Sequence, residues 1–256
     1  MKRASPHMTV PSSGLIRLLT DLDVAAVGAP PVNFAERLGQ FFDFSEALLL
    51  SAANADAERY GDSVIPFEAE IDAGNAACEE FLRVRLTLIN SIVKNCTPGV
   101  SNNKLPSIAV DASSEIARAY EPFHRFYLGQ QRDIVVTVRP LRIHVRDSIS
   151  TTSPALRQLA ALDAVFDDIL WERTRKLYST IPKMLEKRFQ YLFNSHRQNI
   201  SVTNKQDNPA QWMQQDQWIG RFCRDMQSLL LAEIDVQLQP VLGLLEAFNN
   251  EARKTQ

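Results

Sequence analysis

The chain has 256 residues, a formal charge of −2, 45% hydrophobic and 23% charged residues, and only 9 glycines. That composition is globular rather than disordered or collagen-like, and the near-neutral charge excludes the strongly basic signature of a protein that coats nucleic acid. Cys78, Cys96 and Cys223 form no CxxC pair and leave one thiol over whichever two might bridge, so they read as small apolar fillers in a reducing, cytoplasmic setting.

Residues 1–11 are polar, contain Pro6 and Pro11, and are expected to be a disordered tail. No apolar core follows Lys2 and Arg3, so no secretory signal is expected, and no apolar run approaches the roughly 20 residues that span a bilayer. Residues 12–96 read as an N-terminal helical region. Ser12 or Ser13 caps a short helix bearing Leu15, Ile16, Leu18, Leu19 and Leu22, which Pro30-Pro31 ends. Asn33 and Glu36 form a capping-box variant that opens a helix bearing Phe34, Leu38, Phe41, Phe42, Leu48 and Leu49. Tyr60-Gly61-Asp62 reads as a turn. From about Pro66, Ile71, Cys78, Phe81, Leu82, Leu88, Ile89, Ile92 and Val93 keep a helical period until Thr97-Pro98-Gly99 stops it.

Residues 97–112 form a loop, and 113–252 read as three long helices continuous with the first region, an all-α, elongated antiparallel helical bundle. The first carries Tyr120, Phe123, Tyr127, Ile134, Val138, Leu141, Val145 and Ile149. Its run Ile134 to Val138 has strand-like composition, but the 3.6-residue period continues on both sides and favours helix. Ser153 and Pro154, an N-cap and a first-turn proline, start the second, which runs to about Leu192. Asn194 to Pro209 is polar and reads as a loop before the last helix, which carries Trp218, Phe222, Met226, Leu230, Ile234, Leu238, Val241 and Phe248. Pro140, Pro182 and Pro240 predict kinks. Helices of about 40 residues would reach about 60 Å.

Arginines and lysines gather around the Ser150–Ser153 turn. If helices rise equally from it, positions summing to about 303 lie level. Arg139 then faces Asp163 and Asp167, and Arg132 faces Glu172, which makes the basic 132–188 hairpin a self-paired surface. Its nucleic-acid-binding alternative uses the same arginines as phosphate contacts.

Glu121 and His124 have the Glu-x-x-His spacing that places two metal ligands on one helical face, yet a di-iron site needs two such motifs and only one is present. A helical metal protein or enzyme centred on this pair is therefore the second reading. No nucleophile elbow, zinc-helix motif or phosphate loop is present, so no catalytic residue and no cofactor is assigned. Phe41, Phe42, Phe44, Trp212 and Trp218 are candidates for a protein-binding surface, against a competing role in core packing.

The runs Pro11 to Leu19, Phe34 to Leu38, Asp43 to Leu48, Ser153 to Val165, Pro182 to Phe189 and Leu230 to Phe248 together resemble an uncharacterised family of proteobacterial proteins classed as a domain of unknown function. The resemblance covers most of the chain, rests on helix-packing patterns, and carries no catalytic residues over. It implies genes near those of MotA/TolQ/ExbB-type proton channels and OmpA-like proteins, hence a cytoplasmic accessory of an envelope complex. The expectation is a non-enzymatic scaffold or adaptor with a protein partner. Whether a second copy helps to close the core stays open, because the apolar faces are wide enough for either arrangement.

Overall fold

A computed structural model describes residues 14–22, 46, 48–52, 67–97, 105–106, 116–203, 208, 211–214 and 216–254. Among them the chain is all-helical, without a strand: α1 (Gly14–Leu22), α2 (Phe67–Cys96), α3 (Ile116–Ser150), α4 (Pro154–Tyr178), α5 (Ile181–Thr203) and α6 (Trp218–Lys254). The expected tail, the Asn33–Glu36 cap, the Tyr60–Asp62 turn and most of the 97–112 loop lie outside the described residues.

The core is organised around α6, which touches each of the other five helices named above. Apolar side chains occur on more than one stripe of it, and Phe222, Met226, Leu229, Leu230, Ile234 and Val241 are all at or near zero exposure. A helix apolar on several sides is stable in water only when neighbours enclose it. By length and composition α6 is also long and apolar enough to cross a membrane, although the sequence shows no unbroken apolar run of that length, and half of the qualifying window is buried inside the protein.

α2 closes on α6 where Gly74 faces the Phe248 ring. A Cβ built on Gly74 would stand 2.1 Å from that ring, so the close approach needs a residue with no side chain. On its other flank α2 meets α3 through a buried hydrogen bond, in which the Asn95 amide donates to Gln130 Oε1 at 2.9 Å. α3 keeps Ile134 and Val138 in the core, so the strand-like run is helical. Pro122 and Pro140 lie inside α3 without ending it. Pro140 and its i−4 neighbour Val136 are both on the exposed side of α3.

α4 starts as the sequence indicates. Ser153 is its N-cap, Leu156 N–H donates to Ser153 Oγ at 3.2 Å, and Pro154 occupies the first turn. It ends earlier than the sequence suggests: the expected helix from 154 to about 192 is two helices, broken at Ser179–Thr180. Both hydroxyls donate back to carbonyls of the last turn of α4, Ser179 to Lys176 and Thr180 to Leu177, each at 2.7 Å. Thr180 O then accepts from Lys183 N–H and Met184 N–H to open α5. Pro182 thus falls in a first turn, where a missing N–H leaves no intrahelical bond unmade. The expected loop from 194 is also corrected, since α5 stays helical to Thr203, held by Phe193 and His196 against Trp218.

Replacing Gly74 with alanine should destabilise the protein despite alanine's better helix propensity. Overpacking against a ring that is 1% exposed costs roughly 1–3 kcal/mol, or a melting temperature lower by several degrees in thermal denaturation. An unchanged or raised melting temperature would mean that α2 and α6 can separate without cost.

Candidate functional site

Among the described residues, an open groove of about 610 Å³ lies on the outer side of α3 and α4. Val136, Pro140 and Ile143 from α3 and Trp171 from α4 give it an apolar floor, and Arg139, His144 and Asp147 supply its polar groups. Val136 is 63% and Ile143 43% exposed. The Arg139 guanidinium lies over the Trp171 ring, 4.5 Å from its centroid, so an exposed apolar face and a cation stand side by side.

Beside this groove sits a four-residue ion cluster. Arg142 donates from Nε and Nη2 to Asp163 at 2.9 and 2.6 Å and from Nη1 to Asp167 at 2.6 Å, while Arg146 lies 3.5 and 3.6 Å from the same two carboxylates. All four side chains are 12–15% exposed. The partners expected from the sequence were Arg139 for the aspartates and Arg132 for Glu172. Instead Arg139 stacks on Trp171, and Glu172 lies 3.9 Å from Arg175 on its own helix. Side chains tilt toward the N-terminus of their helix, away from the turn on α3 and toward it on α4. Both tilts raise the sum of paired residue numbers above the level-backbone value, and a long arginine raises it further. Arg188 pairs with Asp225 at 2.8 Å and Arg173 with Glu46 at 3.1 Å, so several of the clustered arginines are already engaged by carboxylates.

Within the core a carboxyl group is fully buried. Glu233, on α6, accepts from the Tyr127 hydroxyl, and Gln131 Nε2 donates to both of its oxygens at 2.9 and 3.0 Å. Burial pushes its pKa up from 4.5 to about 7, against the opposing pull of those two hydrogen bonds. Burial and the nearby Glu233 also push Tyr127 and Tyr178 upward, so both phenols stay protonated. With zero exposure, Glu233 is placed to join α6 to α3 rather than to meet a substrate.

Trp212 and Trp218, candidates for a binding surface, are each only 5% exposed. They pack on each other at 5.5 Å and extend into edge-on contacts among Phe123, Phe189, Phe193 and Phe222 at 5.0–5.4 Å. These tilted and T-shaped pairs are the favourable aromatic geometry, so both tryptophans belong to core packing. Phe41, Phe42 and Phe44 lie outside the described residues.

Glu121 Oε2 and His124 Nδ1 approach to 3.7 Å on the exposed side of α3, and Glu121 also pairs with Arg125 at 3.0 Å. Among the described residues no group of three or more potential metal ligands converges. All three cysteines are free, and burial raises Cys96 and Cys223 to about 12, which keeps both thiols protonated and unreactive.

A family model described as a protein of unknown function (DUF3348) matches residues 1–250. The chain belongs to the DUF3348 family. No curated protein and no solved structure matches it.

Two features of this DUF3348 chain escape a reading by periodicity. The groove depends on Arg139 and Trp171 meeting across two helices, and no local spacing marks that encounter. Glu233 does leave a trace: it sits between the run Leu229-Leu230-Leu231-Ala232 and Ile234, and follows Met226 and Leu230 on the same stripe, an acid at a core position.

The raised Glu233 value has a definite sign. The unfolded chain releases this proton near pH 4.5 and the folded protein only near 7. Its stabilising effect is therefore complete below 4.5 and lost as pH rises through 7, a change of roughly 3 kcal/mol. Glu233→Gln cannot ionise, so thermal melting of the variant should gain on wild type between about pH 5 and pH 8. A wild-type–variant difference that stays constant over that range would contradict the assignment.

Proposed function

We propose that this protein is a non-enzymatic helical scaffold, an elongated antiparallel bundle with kinked long helices, that holds a protein partner in the α3–α4 groove. The observation that carries this reading is the juxtaposition of exposed Val136 and Ile143 with the Arg139–Trp171 stack. Tryptophan and arginine at the centre of an apolar patch are the residues that most often dominate binding energy. An amphipathic partner segment fits the chemistry: its apolar side covers Val136, Pro140, Ile143 and Trp171, and an acidic side chain meets Arg139.

The ion cluster behind the groove supports such a role. Four charged groups in mutual contact fix α3 against α4, so the groove is preorganised before a partner arrives. In this reading the partner is the cytoplasmic part of an envelope proton-channel-type complex, and the protein is its accessory.

The test is photo-cross-linking in the native cell, with a benzophenone amino acid at position 136 and membranes solubilised before purification. A specific membrane-protein adduct is expected, lost when Ile143→Glu is added and retained when an exposed residue outside the groove is altered. Absence of an adduct, or an adduct indifferent to Ile143→Glu, would reject the groove as the binding surface.

A further inference from the structure

α2 carries a second apolar stripe that its own core does not use. Phe81, Leu88, Ile92 and Cys96 are buried against α3 and α6, whereas Leu82 is 56%, Leu86 60% and Val93 42% exposed, with Ile89 half-buried between them. The stripe Leu82, Leu86, Ile89 and Val93 follows the four-three-four spacing of a heptad seam. At about 100° per residue the four fall within roughly 60° of one another.

We propose that α2 pairs with α2 of a second copy of this chain, in antiparallel orientation, through this stripe. This goes beyond the scaffold reading and does not depend on it, since none of these residues lines the α3–α4 groove.

The charges at the two ends of the stripe choose the occupant and its direction. Glu79 stands before Leu82 and Lys94 just after Val93, both exposed, and neither has an ion-pair partner among the described residues. The neighbouring ions are already engaged: Arg83 pairs with Glu80 on the same helix and Arg85 with Asp235 of α6 at 3.3 Å. A two-fold axis between Thr87 and Leu88 sets Leu82 level with Val93 of the partner subunit and Leu86 level with Ile89 of the partner subunit. The same axis brings Glu79 within about one helical turn of Lys94 of the partner subunit, twice by symmetry. Parallel pairing in register would instead oppose Glu79 to itself and Lys94 to itself, which flanking charges disfavour. A seam of four apolar residues per copy is small, so the dissociation constant should be on the order of micromolar.

Sedimentation velocity of the full chain over a wide concentration range tests this directly. Wild type should pass from monomer to dimer, and Leu86→Glu should remain monomeric while its circular dichroism and melting temperature stay close to wild type. Glu79→Lys and Lys94→Glu should each weaken association roughly twofold to tenfold, and the double variant should restore it. A wild type that is monomeric at every concentration overturns the proposal and leaves the stripe to a helix of another protein. A dimer unaffected by Leu86→Glu, or charge swaps that do not compensate, overturns it equally.

Discussion

The enclosure of α6 is the constraint from which the rest of the molecule follows. A 37-residue helix with fully buried residues from Ile219 to Phe248 has no stable life in water on its own. Each of the other five described helices packs against it and supplies part of its enclosure. The hydrophobic contribution is large and unspecific, at roughly 25 cal/mol per Å² removed from water. It explains why the helices gather, but not their mutual register.

Register is carried by a few polar and shape-specific contacts. Asn95–Gln130 aligns α2 with α3, Tyr127 and Gln131 with Glu233 align α3 with α6, and the Arg142–Arg146–Asp163–Asp167 cluster aligns α3 with α4. Such groups add little net stability in place of well-packed apolar ones, yet a slipped arrangement would leave each of them unpaired in a low-dielectric interior. Gly74 against Phe248 does the same by shape alone. The Glu233 junction also links the core to pH, because the cost of its ionisation falls entirely on the folded state.

Helical class was legible in the sequence because period and capping are local properties. Ser153-Pro154 begins α4 as expected, and the β-branched run at Ile134 is overridden by the longer helical pattern around it. What periodicity could not separate is which apolar residue faces inward. On α2, Phe81 and Leu82 belong to the same hydrophobic pattern, yet one is in the core and the other is the edge of an exposed stripe. Trp212 and Trp218 show the converse, large aromatics that resemble an interface and are core. The break at Ser179–Thr180 lies just before Pro182, whose missing N–H leaves the Tyr178 carbonyl at the end of α4 without its helical partner; the sequence marks a kink there but not two separate helices. The Arg139–Trp171 stack depends on a register known only once two helices are docked.

The other described helices pack around α6, so its burial inside the fold is the property on which the rest depends. Amide hydrogen exchange of the purified chain in detergent-free buffer measures this most directly. Peptides from Phe222 to Leu245 should be the slowest to exchange, opening only with global unfolding. Exchange there as fast as in the exposed turns of α4, or protection that arises only when lipid or detergent is added, would contradict it.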